Sequence, residues 1–527
     1  MDFEKIYPKC SRFLNSDIYR DLPGLDRLEP SPDQFPDVLE EHSRDARIPG
    51  FLSSLAQVEL ALYRMRSQSG PAPQKADQLS VNPTLNILEL KWKNLAAMFH
   101  SCPDGSDINP EPGDEMLLIW RIPDTGEECI EPASNEDLLV LKMTVEDIPA
   151  ETIAGLAGIP VGAVDAAIDR VIQKGLLLIP GTLIKRDPCF HSDPQKVAGQ
   201  PCKAWNFTLQ WHVTQACDLR CKHCYDRSVR SELSLDQGLR IIDDLRSFCR
   251  TKYVHGHVTF SGGNPLLYPH LKELYRAASE NGFSLAILGN PAPKSQIQEI
   301  ERISPLSFFQ VSLEGLKEHN DSIRGPGHFE RTVSFLEILK DLNIYSMVML
   351  TLTKDNIDQV IRLAEYLRNR VNHFTFNRLS RVGEGANLQI PTRDEYRAFL
   401  KDYIEAANSN PIMGLKDNLI NILRYEQGLK TTGGCTGFGC GAAFNFLTLL
   451  PDGEVHACRK FPSLLGNIFE HSLAEIYDSE ISRRYRTGSA SCNPCPIKPS
   501  CGGCLASVYS HGLDIFNDRD PYCFIDD

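Results

Sequence analysis

The spacing of apolar residues predicts a helical N-terminal region over residues 1–75 of this 527-residue chain. Within Asp37–Arg66, apolar side chains recur at the three- and four-residue spacing of one helix face. These positions are Leu52, Leu55, Val58 and Leu62. The sequence Gly70-Pro71-Ala72-Pro73 follows, and clusters of Gly and Pro are typical of a linker rather than a helix.

The pattern changes over residues 84–186, where predicted strands precede predicted helices. Apolar and charged residues alternate over 88–92, and Met116–Ile122 is a second strand-like run. The predicted helices, with the turn Gly158-Ile159-Pro160 between the last two, are Asn135–Met143, Glu151–Ala157 and Val161–Lys174. With a return strand over Leu176–Ile184, this order indicates a winged-helix-like domain. A generic small α+β domain is the alternative.

Residues 205–425 alternate short apolar strands with helical stretches such as Leu235–Arg250 and Gly327–Leu342. The six predicted strands are Phe207–Thr214, His257–Phe260, Ser284–Leu288, Phe309–Leu313, Ile344–Thr351 and His373–Asn377. Six βα units predict an α/β fold with a partial (β/α)6 TIM-type barrel as its core. Functional residues are then expected at the C-terminal ends of the strands.

Charge and composition limit the partners. The formal net charge of −14 argues against a nucleic-acid ligand. The helix Val161–Lys174 places Asp165 and Asp169 against two basic residues, so a peptide paired with an exposed strand edge fits its domain better than DNA. The chain has no apolar run of membrane-spanning length and no apolar segment near its N-terminus, so we expect a cytoplasmic protein without a membrane partner.

Eleven of the 17 cysteines fall into two sets. Cys217, Cys221 and Cys224 form a C-x3-C-x2-C run within CDLRCKHCY. The second set is Cys435, Cys440, Cys458, Cys492, Cys495, Cys501, Cys504 and Cys523. Three thiolates leave one iron of a cubane cluster without a protein ligand, and eight suffice to ligate two further clusters fully. Zinc is the alternative for Cys492–Cys504, because two C-x2-C pairs are also zinc spacing.

Residues 205–380 resemble the core of the radical S-adenosylmethionine (SAM) enzymes. The resemblance implies that Cys217, Cys221 and Cys224 hold a 4Fe-4S cluster whose open iron binds SAM. It also implies that Ser261-Gly262-Gly263-Asn264 is the glycine-rich turn that holds the SAM amino group through its backbone, although the family usually has Glu in place of Asn264. Asn290 occupies a position where the family often has a TNG sequence.

The segment SLEGLKEHNDSIRG resembles the part of that family that binds the ribose and carboxylate of SAM. The resemblance implies that Ser312 and Glu314 contact SAM, and that Arg324 pairs with its carboxylate through a planar guanidinium. None of these resemblances identifies a catalytic residue that acts on substrate.

Residues 430–527 resemble the SPASM extension of the same family, with one gap between cysteines shorter by a residue than usual. By resemblance, Cys435, Cys440, Cys458 and Cys504 ligate a first auxiliary 4Fe-4S cluster. Cys492, Cys495, Cys501 and Cys523 ligate a second. The predicted division is therefore a helical region (1–75), a winged-helix-like domain (84–186), a radical SAM core (205–425) and a SPASM domain (430–527).

The winged-helix-like domain resembles the recognition element that binds the leader of ribosomally made peptides. Together with the SPASM domain, it implies a maturase of a precursor peptide, of the selenobiotic type or a related one, that installs a modification such as a crosslink. A flavodoxin- or ferredoxin-type donor would supply electrons. The alternatives are a sulfatase-maturing enzyme that forms formylglycine and an iron–sulfur transcriptional sensor.

Overall fold

The computed structural model describes residues 3–14, 32–42, 47–67, 76, 78–100, 110–123, 125–186 and 203–525. The chain divides into two compact units, Met1–Gly181 and Thr182–Asp527. The linker predicted at residues 70–73 lies outside the described residues. Among the helices that are described, none is long and apolar enough to cross a membrane.

The first unit contains a three-stranded antiparallel sheet in the order β2-β3-β4 and a separate antiparallel pair, β1-β5. Its strands are β1 (Ser80–Val81), β2 (Asn86–Lys93), β3 (Glu111–Arg121), β4 (Glu128–Pro132) and β5 (Leu177–Leu178). Its helices are Phe3–Ile6, Cys10–Phe13, Phe35–Glu41, Leu52–Ser67, Ala97–His100, Asn135–Val145, Ala150–Ala157 and Val161–Gln173, with a 3-10 turn at Pro32–Gln34.

The predicted N-terminal helix is interrupted. Its first part ends at Glu41 and a second helix begins at Leu52, whose N–H donates to the carbonyl of Pro49 at 2.9 Å. Pro49 cannot continue the backbone bonding of a helix, and Gly50 allows close packing, since a Cβ there would lie 2.7 Å from the Trp92 ring. The second helix then shares one apolar core with β2 and β3.

The order of strands followed by three helices is as predicted. A capping box of Ser134 and Asp137 begins the helix Asn135–Val145, and Gly158 at φ 65° ends the next one. The predicted return strand is shorter than expected, because only Leu177 and Leu178 pair with β1. The predicted end of this domain at 186 lies beyond the unit boundary, since residues 182–186 hydrogen bond within the second unit.

The second unit contains a nine-stranded sheet in the order β11-β10-β9-β8-β7-β6-β12-β13-β14. Its strands are β6 (Asn206–Thr214), β7 (His255–Gly262), β8 (Ser284–Leu288), β9 (Phe308–Ser312), β10 (Ser346–Leu352), β11 (His373–Arg378), β12 (Phe446–Leu449), β13 (Glu454–His456) and β14 (Leu464–Asn467). The strands from β6 to β11 are parallel, which confirms the predicted parallel core.

Helices connect the successive parallel strands from β6 to β11, and further helices follow β11 and β14. They are Leu235–Lys252, Leu271–Glu280, Lys294–Ile303, Lys317–Arg324, His328–Asp341, Val360–Leu367, Arg393–Ser409, Ile420–Glu426, Leu473–Asp478, Glu480–Thr487 and Leu505–Ser510. Short 3-10 turns occur at Pro265–Leu267, Ile357–Gln359, Gly383–Asn387 and Ala490–Cys492.

The C-terminal region joins the barrel sheet directly. Strand β12 pairs in parallel with β6, and β13 and β14 continue from it in antiparallel fashion. The pattern of apolar residues did not predict these three strands. One apolar core accordingly runs from Trp211 of β6 to Leu447 of β12 and Phe524 near the C-terminus.

A buried ion-pair network connects the last barrel strand to the C-terminal region. Arg378, the final residue of β11, donates from both terminal nitrogens to Asp520, at 2.9 and 2.8 Å. Its Nε donates to Asp417 at 2.9 Å. Burial disfavours the charge of Arg378, but the two carboxylates raise its pKa well above the ordinary value, so the guanidinium stays charged.

We predict that Asp520→Asn destabilises the second unit by about 3 kcal/mol or more, because removing one partner leaves a buried charge incompletely compensated. The midpoint of urea unfolding, followed anaerobically, measures the change. Asp341→Asn is the matched control, since it removes an exposed ion pair with Lys294 and should cost about 1 kcal/mol at most. Equal effects of the two substitutions would contradict the role assigned to Asp520.

Candidate functional site

A cavity of about 770 Å³ opens at the C-terminal ends of the parallel strands. Each barrel strand or the loop after it contributes, which is where a parallel barrel collects functional groups. The predicted residues that line it are Cys217, Cys221, Cys224, Ser261, Gly262, Gly263, Asn290, Ser312 and Arg324. Two predicted residues, Asn264 and Glu314, are buried behind the wall.

The loop after β6 presents the three cysteines to this cavity. Its backbone is fixed on two sides, because the N–H of Lys222 donates to Ile323 at 3.0 Å and the carbonyl of Cys224 accepts from Glu384 at 2.9 Å. Burial raises the pKa of the Cys217 and Cys221 thiols. Iron binds the thiolate, so a cluster at this loop would keep the two sulfurs deprotonated despite their burial.

The glycine-rich turn at the end of β7 packs directly on this loop. A Cβ at Gly262, where φ is +132°, would lie 2.2 Å from the carbonyl oxygen of Thr214. At Gly263 it would lie 2.3 Å from the carbonyl oxygen of Ala216 and 2.6 Å from that of Gln215. Any side chain at these positions would therefore displace the start of the cysteine loop. The glycines serve the fold of the cysteine loop besides their predicted contact with SAM.

Two predicted asparagines meet at Asp218, a residue that the sequence analysis did not identify. The side-chain amides of Asn264 and Asn290 donate to the same carboxylate oxygen of Asp218, at 3.0 and 2.6 Å. Asn290 also donates to the sulfur of Cys217 at 3.7 Å. The side chain of Asn264 thus positions the cysteine loop from behind the cavity wall. The only sequence signal for Asp218 was its place beside Cys217.

Glu314 binds Arg324 and does not line the cavity. Its carboxylate accepts from Nε of Arg324 at 2.8 Å and from the N–H of Thr351 at 2.7 Å, and it lies 3.3 Å from His223. Burial alone would raise the pKa of Glu314, but His223 and Arg324 together with these hydrogen bonds lower it. The arrangement orients Arg324 toward the cavity, where its Nη1 lies 3.8 Å from the sulfur of Cys221.

His212 and Tyr225 form a neutral pair in the cavity wall. The Tyr225 hydroxyl lies 3.3 Å from the ring nitrogens of His212. Burial and then the charge of Arg459 lower the pKa of His212 to about 3, so the imidazole is neutral at ordinary pH. Burial likewise raises the pKa of Tyr225. Neither group carries charge into the cavity.

The eight C-terminal cysteines separate into the two predicted quartets. Cys435, Cys440, Cys458 and Cys504 line one small cavity. Cys492, Cys495, Cys501 and Cys523 line another. Burial raises the pKa of Cys440 to about 12 and those of Cys458 and Cys492 to about 11, so these sulfurs also require a metal to be held as thiolates.

The separation into two quartets argues against a zinc site formed by Cys492–Cys504. A zinc ion held by the two C-x2-C pairs needs Cys492, Cys495, Cys501 and Cys504 around one point. Cys504 instead lies with the first quartet, and its N–H donates to Asp520 at 2.9 Å. Across the described parts of the chain, no group of three or more His, Cys, Asp or Glu side chains is arranged to hold a single metal ion. The place of Cys504 therefore does not fit a zinc ion held by the two C-x2-C pairs.

A cysteine-lined cavity at a parallel-barrel mouth, together with two further cysteine quartets, is the arrangement expected of an iron–sulfur enzyme. Comparison with known families agrees. Residues 211–367 match the radical SAM superfamily, and residues 440–504 match the SPASM iron–sulfur cluster-binding domain. The chain therefore contains a radical SAM domain and a SPASM domain, which indicate an enzyme and imply 4Fe-4S clusters and SAM as its cofactors.

Individual relatives differ in their activities. The AdoMet-dependent heme synthase of Methanosarcina barkeri is 28% identical, over 60% of this chain and 95% of that protein. The antilisterial bacteriocin subtilosin biosynthesis protein AlbA of Bacillus subtilis is 26% identical, over 58% of this chain and 67% of its own.

Among solved structures, Streptococcus suis SuiB bound to its precursor peptide SuiA aligns with a TM-score of 0.52 and 16% identity. The alignment covers 78% of this chain and 96% of that one. At this level of identity, the likeness concerns the fold.

We predict that Gly263→Ala removes about four irons per chain, those of the cluster at the cysteine loop. The backbone of Gly263 is not in the left-handed region, so the expected loss comes from the collision with the carbonyl groups of Ala216 and Gln215 and not from backbone strain. Iron and protein assays after anaerobic reconstitution give the ratio. Gly155→Ala, on a helix with open space around the new methyl group, should retain full iron content. Full iron content in Gly263→Ala would show that the loop tolerates displacement.

Proposed function

We propose that the enzyme modifies a ribosomally made precursor peptide, using hydrogen abstraction at the barrel mouth. The observation that carries this proposal is the presence of a cysteine-lined cavity in the second unit and of an antiparallel sheet with two edge strands in a separate first unit. That unit has a three-stranded antiparallel sheet followed by three helices, with β2 and β4 at its edges. An exposed strand edge binds an extended peptide through backbone hydrogen bonds.

At the barrel mouth, Cys217, Cys221 and Cys224 would hold the cluster with an open iron. When bound, the cluster and SAM supply a 5′-deoxyadenosyl radical that removes a hydrogen atom from the substrate. The backbone of Ser261, Gly262 and Gly263 would hold the SAM amino group. Arg324, kept charged and aimed by Glu314, would bind the SAM carboxylate, with Asn290 and Ser312 beside it.

The cysteine quartets would hold two fully ligated clusters. With four protein thiolates each, such clusters have no open iron for substrate, so they would transfer electrons or stabilise the fold. Arg378 lines both the large cavity and the cavity of the first quartet. The first auxiliary cluster would therefore lie next to the reaction site.

The comparisons support a peptide substrate over a tetrapyrrole. The match to the heme synthase leaves about two fifths of this chain without a counterpart, although it takes in nearly all of that protein. The likeness to SuiB covers 78% of the chain, whereas the second unit makes up about two thirds of it. The fold shared with a peptide-binding enzyme therefore extends into the first unit.

A sulfatase-maturing activity gains less support. In that group an Asp that serves as a base commonly follows the cysteine corresponding to Cys458, and here Arg459 follows it. The first unit also has no role in that reaction.

We predict that the anaerobically reconstituted enzyme holds about 12 irons per chain as three 4Fe-4S clusters and, with a reductant, cleaves SAM to 5′-deoxyadenosine. Cys217→Ala should lower the iron content by about four and abolish cleavage. Cys129→Ala, which changes a cysteine outside the three sites, is the control and should retain both. Four irons together with bound zinc in the parent enzyme would disprove the auxiliary clusters.

We also predict that the enzyme changes the intact mass of a precursor peptide encoded beside its gene. Removing residues 1–181 should leave cleavage of SAM in place yet abolish modification of the peptide, because the leader-binding edge is lost. Mass spectrometry of the peptide and chromatography of 5′-deoxyadenosine provide the two readouts. Undiminished modification by the truncated enzyme would remove the recognition role of the first unit, and modification of coproporphyrin in place of the peptide would overturn the proposal.

A further inference from the structure

The large cavity is strongly basic although the chain as a whole is acidic. The formal net charge of the chain is −14. Seven arginine and lysine side chains line the cavity, against two carboxylates, Asp226 and Glu384. A cationic lining in a partly enclosed cleft attracts and orients anionic groups.

Most of these cations already have carboxylate partners. Arg230 lies 2.7 Å from Asp452 and 2.8 Å from Glu454. Arg324 and Arg378 are bound by the buried carboxylates described above, and Arg227 lies 3.8 Å from Glu384. All four cations therefore have partners within the fold, and Arg324 is in addition the residue proposed for the SAM carboxylate.

Three cations of the lining have no such partner. The side chains of Arg220, Arg459 and Lys460 make no ion pair or hydrogen bond with any residue that the structure describes. Arg220 is exposed, so water can satisfy it, whereas Arg459 and Lys460 are half-buried. A half-buried guanidinium without an anion loses solvation and gains nothing in return.

Lys460 lies where its positive charge would balance the negative charge of a cluster bound by the first cysteine quartet. Arg459 does not lie there. In the second quartet, Lys498 and Arg519 line the cysteine cavity itself. In the first quartet, Lys416 and Lys460 hold the equivalent place. Arg459 lines only the large cavity, although it directly follows Cys458 in the sequence. Its charge faces the space where substrate would be, beside the neutral pair of His212 and Tyr225.

We propose that Arg459, supported by Lys460, binds a carboxylate of the substrate, so that the residue to be modified lies next to an acidic side chain or to the C-terminal carboxylate of the peptide. This inference rests on the proposed function. A guanidinium pairs with a carboxylate through two parallel hydrogen bonds, which fixes orientation as well as position. The cavity has a volume of about 770 Å³, of which SAM would occupy a part, so the remainder admits a short peptide segment only. The carboxylate and the attacked carbon must then belong to the same or neighbouring residues.

Saturation-transfer NMR tests the site without any precursor peptide. The probes are N-acetylglutamic acid α-amide, with a side-chain carboxylate, N-acetylglycine, with a terminal carboxylate, and neutral N-acetylglutamine amide. The reconstituted full-length enzyme with SAM should bind at least one carboxylate probe, and Arg459→Gln should weaken that binding about tenfold or more. The probe that binds better identifies the source of the carboxylate.

Arg220→Gln is the matched control, because it removes a cation from the same cavity and should leave the affinity of the carboxylate probes within about twofold of the parent value. Equal losses in Arg220→Gln and Arg459→Gln would show attraction by the general field and overturn the site. Failure of both carboxylate probes to bind better than the glutamine amide would overturn it as well.

The precursor peptide provides a second, independent test. Each Asp or Glu of its modified region is changed to Asn or Gln, and its C-terminus is amidated in a further sample. One of these changes should lower modification by the parent enzyme about tenfold or more. A lysine at that position should partly restore modification by Arg459→Glu. If the parent enzyme modifies every neutral variant equally well, the carboxylate site is wrong while the peptide maturase stands, and if it modifies no peptide, the proposed function itself fails.

Discussion

The buried contact between Arg378 and Asp520 is the interaction on which the relative position of the cysteine sites depends. Arg378 ends the sixth barrel strand and lines both the large cavity and the cavity of the first quartet. Asp520 accepts from the N–H of Cys504 at 2.9 Å, and its own carbonyl accepts from the N–H of Cys523 at 2.8 Å. One carboxylate residue therefore touches the barrel and both quartets. Because a buried guanidinium must be paired to be tolerated, this contact fixes all three sites at once.

Charge and burial at the cysteine sites are mutually consistent. The thiols are buried, which opposes their ionisation, and several cations lie where ionised sulfurs would need compensation. In the absence of metal, such an interior keeps protonated thiols next to cations, which is an unfavourable combination. When a cluster binds, the sulfurs become thiolates, and the neighbouring cations then stabilise an anionic group. The sites are thus built for a metal cluster, and the free energy of its binding adds to the stability of the fold.

The sequence allowed prediction of the parts of the structure that depend on local spacing. The six parallel strands and the cysteine loop follow from periodicity and from residues close together in the chain. Asp520 and Arg378, 142 positions apart, and Glu314 and Thr351, 37 positions apart, carry no such signal. Strand β12 was missed because its four residues pair with β6, more than two hundred positions away, and a short apolar run does not reveal its partner. The hydrogen bond from Asn264 to Asp218 likewise depends on the tertiary packing of one turn on another, so the sequence does not reveal it.

On the proposed function, the two units would recognise the substrate in two ways that have different energetic roles. A strand edge forms many backbone hydrogen bonds and can supply affinity while remaining tolerant of sequence. The charge-assisted contact proposed at Arg459 would supply roughly tenfold discrimination and too little free energy to retain a peptide alone. Once a leader is bound, however, the modified region would reach the cavity at a high effective concentration, and a weak contact would then be enough to select the residue presented. Selectivity for the site of modification can therefore rest on one guanidinium.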